Sequence, residues 1–135
     1  MRAQVAVVLT AASLLLAAGP TWAHHAFAAE FDAQKPVTLR GTIAQVELIN
    51  PHSWIHMDVK GSDGTVTRWM IEGPAPNGLF RRGLTRDSLP IGAEILVDGY
   101  QAKDGSNRAN GRDVTFADGR KLSLGGSNPD EGPGK

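Results

Sequence analysis

Two segments with alternating apolar and polar residues constrain the fold of this 135-residue chain most strongly. Segment 53–60 places Ile55 and Met57 on one face, and segment 65–72 alternates in the same way. Such alternation is typical of strands that bury one face. Residues 61–64, Gly-Ser-Asp-Gly, have the composition of a hairpin turn. We therefore predict a β-hairpin that buries one face in a core.

Further strand signals lie on both sides of this hairpin. Segment 37–48 is rich in β-branched residues, and its apolar positions change parity near Ala44-Gln45, which predicts a β-bulge. Residues 79–85 have the apolar spacing of a short helix, and residues 102–111 are predicted as a polar loop. The remaining strands are predicted at 94–100, around 114–116 and at 121–124. This order predicts a mostly β, five- to six-stranded OB-like barrel with one short helix between strands 3 and 4. An open meander is the alternative.

The first 23 residues have the pattern of a cleavable signal peptide. Arg2 precedes a run of 14 residues at 5–18 that is apolar apart from Thr10 and Ser13, and Thr21 and Ala23 supply small residues for cleavage after Ala23. The run is too short for a membrane span, which needs about 20 residues. We predict an exported, periplasmic or secreted protein with no membrane span after cleavage; an uncleaved anchor is the alternative. The predicted parts are a signal peptide (1–23), an arm (24–36), an OB-like domain (37–124) and a disordered tail (125–135).

Composition limits the chemistry that the exported chain can perform. The sequence has no cysteine, which excludes disulfides and thiolate ligands. Loss of Arg2 with the leader leaves 13 basic and 14 acidic residues, so charge gives no argument for a nucleic-acid partner. No nucleophile motif or phosphate-binding glycine loop is present, and we do not expect an enzyme, although a copper redox enzyme stays a minor alternative.

The histidines carry the strongest functional signal. Cleavage after Ala23 would make His24 the first residue, and His25 would follow it. An N-terminal histidine offers a metal both its α-amine and its imidazole Nδ1. The other two histidines are His52 and His56, in the predicted hairpin. The set resembles a histidine brace, and nitrogen ligands in a tetragonal plane suit Cu(II). We therefore expect copper, and zinc less strongly. Adventitious binding to an exposed His-His terminus is the alternative.

Strand geometry limits which histidine can join His24. His52 and His56 are four residues apart, which is about 13 Å along a strand and too far for one ion. We favour His52, which lies beside the Asn50-Pro51 turn, and keep His56 as the second choice. Asp32 or Glu30 are candidates for an added oxygen ligand.

Two tryptophans support a different function. If Trp54 and Trp69 share a face of the hairpin, they form a cross-strand aromatic pair that could serve as a ligand or partner face. Phe27 and Phe31 are candidates to cover them. In this alternative the chain is an interaction module that binds an envelope protein or a small ligand, with no metal.

Several runs of the sequence resemble one known family. They are His-His-Ala-Phe-Ala-Ala-Glu-Phe-Asp at 24–32, Lys-Pro-Val-Thr-Leu-Arg-Gly at 35–41 and Ile-Asn-Pro-His-Ser-Trp-Ile at 49–55. They resemble small exported bacterial proteins catalogued as a domain of unknown function (DUF 6152 type). Segments 77–83 and 99–107 are similar too, so the resemblance spans about 24–124. It implies export and a compact β-rich domain, and it assigns no site residues.

Overall fold

The computed structural model describes residues 27–125. The predicted leader, His24 and His25, and residues 126–135 of the predicted tail lie outside this range. Residues 27–30 are helical. The other elements are β1 (Phe31–Ile49), β2 (His52–Lys60), β3 (Val66–Glu72), helix α1 (Pro76–Arg81), a 3₁₀ turn (Arg86–Ser88), β4 (Glu94–Ala102), β5 (Arg108–Phe116) and β6 (Lys121–Ser123).

The strands form one sheet that closes on itself. β1 pairs antiparallel with both β2 and β4, β2 pairs with β3, and β4 pairs with β5. A parallel pairing of β3 with β5 completes the ring, and β6 continues the sheet beyond β5. The predicted mostly β, OB-like arrangement with a short helix between strands 3 and 4 is confirmed. Closure of the ring leaves few strand edges exposed.

The predicted bulge in the first strand is confirmed. The pairing of β1 with β2 shifts register between Ile43 and Gln45. After the shift, Val46 and Leu48 pack against the core while Gln45 faces out. The strand begins at Phe31, six residues before the predicted start at Val37, and pairs with β4 from there.

The core fills the inside of the ring. Alternating positions of the strands contribute buried aliphatic side chains, and α1 and the following loop add Leu79, Leu84 and Leu89. Full burial of one such side chain is worth about 1.5–3 kcal/mol. The helix lies three residues earlier than the predicted 79–85 because Pro76, which lacks an N–H and has a helical φ, starts it. Phe80 is 48% exposed, so only part of the predicted apolar face is buried.

The prediction of a polar loop at 102–111 is wrong beyond residue 107. Arg108 and Asn110 lie in β5, between β4 and β3, and so does Arg112 further along the strand. Gly111 is required by crowding, because a Cβ there would lie 2.7 Å from both Ile71 Cγ2 and Leu124 Cδ1. A glycine that signals a turn in the sequence thus marks a close approach in the closed ring.

Within residues 27–125, no helix is long and apolar enough to cross a bilayer.

Candidate functional site

Strand β2 presents three candidate residues on the outside of the barrel. Ile55 and Met57 are buried in the core, so His52, Trp54 and His56 lie on the opposite face. The two histidines are in one extended strand, four residues apart, which is about 13 Å. They therefore belong to separate places on the outer face.

The tryptophans lie on opposite faces of the hairpin. Trp54 pairs with Glu72 on the outside, whereas Trp69 pairs with the buried Met57 and packs against the core. The condition for a cross-strand tryptophan pair is therefore not met. The alternation in the sequence already puts them on opposite faces. Trp69 is two residues from the buried Ile71 and shares its face, whereas Trp54 is next to the buried Ile55 and points the other way.

His56 is held by β1. Its Nε2 lies 3.0 Å from Oε1 of Glu47, and the histidine side chain is 13% exposed. The amide of Gln45 donates to the same Glu47 oxygen at 2.9 Å. Glu47 thus fixes one ring nitrogen of His56.

His52 meets a different carboxylate. Its Nδ1 lies 3.6 Å from Oε1 of Glu72, the last residue of β3. Glu72 pairs with Asn110 across the parallel β3–β5 contact, and Arg108 begins β5 beside them. We call His52, Glu72, Asn110, Arg108 and Glu30 the seam cluster, because they surround the seam where the ring closes.

Burial and the neighbouring charges both change the pKa of Glu72. Its side chain is 12% exposed, and this burial raises the pKa of the Glu72 carboxyl above its usual value. His52 lowers that pKa, Glu30 raises it, and Arg108 and the side chain of Asn110 lower it. Burial is the strongest of these effects. Glu72 is therefore a carboxylate that would gain from a nearby cation.

The N-terminal segment is fastened beside this cluster. Oε2 of Glu30 lies 3.6 Å from Nη1 of Arg108. The backbone N–H of Lys103 donates to the Glu30 carbonyl at 2.9 Å, and the Lys103 ammonium donates to the carbonyl of Ala28. Residues 28–30 are therefore held at the end of β4 and the start of β5.

A small aromatic cluster outside the main core supports the same segment. The rings of Phe27 and Tyr100 meet edge to face with centroids 5.7 Å apart, and Phe27 lies 5.9 Å from Phe31. Phe31 and Tyr100 are buried, and Phe31 pairs with the buried Ala102. Phe27 thus packs on both Phe31 and Tyr100, and the sequence did not single out Tyr100.

One polar atom of the seam cluster has no partner. Oδ1 of Asn110 is buried without a hydrogen bond, and the residue is only 8% exposed. Buried amide oxygens are normally paired. Glu72 was not predicted as a site residue, and Arg108 and Asn110 were predicted in a loop, because only ring closure brings the three together.

Asp32, the other predicted oxygen ligand, contacts residues close to it in the sequence. Asp32 accepts the backbone N–H of Gln34 at 2.9 Å and faces Lys35 at 3.9 Å. Among residues 27–125, no group of three or more His, Asp and Glu side chains is arranged to hold a metal. Within this range, His52 and Glu72 are a pair of such side chains, with Nδ1 and Oε1 3.6 Å apart.

The chain matches the sequence profile of a known family. The sequence profile of a family described as "Family of unknown function (DUF6152)" matches residues 11–111, about three quarters of the chain. None of the curated proteins compared with the chain matches it. The resemblance to this family is thereby confirmed, whereas export stays a prediction, and the family assigns no function.

Proposed function

We propose that this chain, which belongs to the family of unknown function DUF6152, is an exported copper-binding protein. Signal cleavage after Ala23 would free His24 to bind Cu(II) through its α-amine and Nδ1. His52 would supply a third nitrogen, and Glu72 an oxygen. The protein would act as a carrier, a buffer or a sensor of copper outside the cytoplasm.

The observation that carries this proposal is the 3.6 Å separation between His52 Nδ1 and Glu72 Oε1. Two donor atoms bound to one ion at about 2.1 Å lie about 3.0–3.4 Å apart, depending on geometry. A shift of a few tenths of an ångström would therefore let both atoms bind one ion. A cation there would also compensate the buried carboxylate of Glu72, which lies beside the unpartnered Oδ1 of Asn110.

The length of the connecting chain supports His24 as the missing ligand. Phe27 is packed on Tyr100, and Glu30 is bound to Arg108 of the seam cluster. His24 is three residues before Phe27, so its Cα lies within about 11 Å of that anchor in any conformation. Free α-amines have a reference pKa near 8, so copper can displace the proton near neutral pH.

The donor set favours copper over zinc. A terminal amine, two imidazoles and one carboxylate match the nitrogen and oxygen ligands of Cu(II), and the chain has no cysteine for thiolate coordination. Copper also stands above zinc in the order of divalent affinities. His56 is a poorer partner for this ion because it lies about 13 Å along the strand from His52 and contacts Glu47 instead.

The test begins with the mature N-terminus. The protein is exported from its full-length sequence, its N-terminus is read by mass spectrometry, and Cu(II) is titrated with electron paramagnetic resonance detection. We expect His24 as first residue and three coupled nitrogens, falling to two in His52→Gln. Affinity should fall about tenfold or more in His24→Ala and in His52→Gln, which corresponds to about 1.4 kcal/mol or more.

His56→Gln is the matched control, because it alters a histidine of the same strand that faces a different carboxylate. Its Cu(II) affinity should equal that of the unaltered protein. Substitution of His24 is preferred to an added residue before it, since an added residue would move His25 to the third position and create a new amine–amide chelate. A different mature N-terminus, or equal affinity of His52→Gln and the parent, would overturn the proposal. Equal affinity would also leave the terminal histidines as adventitious binders.

A further inference from the structure

We propose that the outer face of the barrel carries a second metal site, in which His56 and Met70 bind Cu(I). The two residues lie directly opposite each other in the β2–β3 register. Cross-strand neighbours of this kind have Cβ atoms about 4.5–5.5 Å apart. Both side chains are partly buried on the outer face. One ion can therefore reach both without a change in the backbone.

The contact with Glu47 prepares His56 for metal binding. A carboxylate only accepts hydrogen bonds, so Nε2 is the donor in the 3.0 Å contact with Glu47. Nδ1 is then the ring nitrogen left for a metal. Histidines that bind metals commonly donate their other N–H to a carboxylate in this way, which fixes the ring and raises its basicity. Gln45 donates to the same Glu47 oxygen and holds it in place.

Met70 supplies the donor that selects the oxidation state. A thioether is a soft ligand that favours Cu(I) over Cu(II) and zinc. Its three rotatable side-chain bonds let the sulfur adjust to an ion beside His56. The other methionine of the described chain, Met57, is fully buried on the inner face and is not available. Trp54 lies on the outer face two residues from His56, where its ring can cover a cation.

The site is independent of the seam cluster. His52 and His56 are about 13 Å apart along β2. Neither His56 nor Met70 requires a free N-terminus. Cu(I) binding by this pair can therefore be tested independently of Cu(II) binding by His24 and His52.

The methionines give a direct test. The exported protein is labelled with ¹³C at its methionine methyl groups and titrated with Ag(I), a redox-inert substitute for Cu(I). We expect the Met70 methyl resonance to shift and that of Met57 to stay in place. An unchanged Met70 resonance at two equivalents of Ag(I) would overturn the proposal.

Affinity measurements then separate the two sites. Cu(I) binding is measured under a reductant by competition with bicinchoninate. Met70→Leu and His56→Gln should each lose about tenfold or more in affinity, and Glu47→Gln about tenfold. Met57→Leu, the control for loss of a thioether, should bind as tightly as the parent, and the losses in Met70→Leu and His56→Gln should persist when His24 is also replaced by alanine. Equal affinity of Met70→Leu and the parent, or disappearance of its loss in the His24→Ala background, would refute the His56–Met70 site.

Discussion

His52 and Glu72 meet where the ends of β2 and β3 approach β5, with Nδ1 of the histidine 3.6 Å from Oε1 of the glutamate. The carboxylate is almost buried, and burial raises the pKa of Glu72. Because the pKa of Glu72 is raised in the folded protein, the contribution of this residue to stability is greatest at low pH. It is lost as the pH rises through the pKa of the folded state. At neutral pH, Glu72 therefore opposes folding of the metal-free protein.

Substitution Glu72→Gln should separate stability from metal binding. Without metal at pH 8, the unfolding free energy should rise by on the order of 1 kcal/mol, because a neutral amide costs less to bury than a carboxylate. Cu(II) affinity should fall in the same variant. Urea denaturation in EDTA at pH 8 and pH 5 measures the first effect, which should shrink at the lower pH. Glu94→Gln, at an exposed position, is the control; a destabilised Glu72→Gln protein would contradict this account.

Closure of the ring depends on a glycine at the β4–β5 contact. A Cβ on Gly99 would collide with the backbone carbonyl of Asn110. Gly99→Ala should therefore lower the unfolding free energy by at least about 2 kcal/mol. Gly78→Ala is the matched control, because Gly78 lies in α1 with its nearest neighbour, Pro74 Cβ, at 3.4 Å. That change should be neutral or stabilising, by up to about 1 kcal/mol. Equal melting temperatures of the two variants would contradict the crowding argument.

The polar turns should determine acid sensitivity. Asp63, Asp104 and Asp118 each accept the backbone N–H of the residue two positions later. Hydrogen bonds to these carboxylates hold the pKa of each below the usual 3.8. Their contribution is present above the ordinary aspartate pKa and is lost as pH falls through the lower folded values.

A variant with all three aspartates replaced by asparagine should lose less stability than the parent when the pH falls from 5 to 3. Thermal melts across this range measure the slope. Asp87→Asn, in the 3₁₀ turn, serves as the control and should keep the slope of the parent. Identical slopes for parent and triple variant would show that these turns do not set acid stability.

Removal of the aromatic anchor should weaken copper binding at a distance. Phe27→Ala deletes the contacts with Phe31 and Tyr100. We expect a loss of about 1 kcal/mol in stability and lower Cu(II) affinity, although no proposed ligand is altered. Calorimetric titration measures the affinity, with Phe80→Ala, at a half-exposed position, as control. Unchanged affinity in Phe27→Ala would mean that the anchor does not position the terminus.

Local patterns determined which features the sequence could predict. The alternation of β2 and β3 and the parity change near Ala44 depend on neighbouring residues, so the hairpin and the bulge were predicted correctly. The first half of strand β5 was predicted as a loop because asparagine and glycine are typical turn residues, whereas its second half, around 114–116, was predicted as a strand. The need for Gly111 arises from Ile71 and Leu124, which are distant in sequence. The His52–Glu72 contact likewise depends on ring closure, and no short-range pattern encodes it.

The packing of Phe27 on Tyr100 also has a kinetic and entropic consequence. With cleavage after Ala23, the proposed ligand His24 would lie three residues from the anchored Phe27 and would act as an intramolecular ligand. Its effective concentration at His52 would be roughly millimolar, the level of short flexible linkers. An ion captured by His52 and Glu72 would therefore meet its remaining donors without a diffusional search. Trace copper, rather than abundant copper, is the supply that such an arrangement is suited to collect.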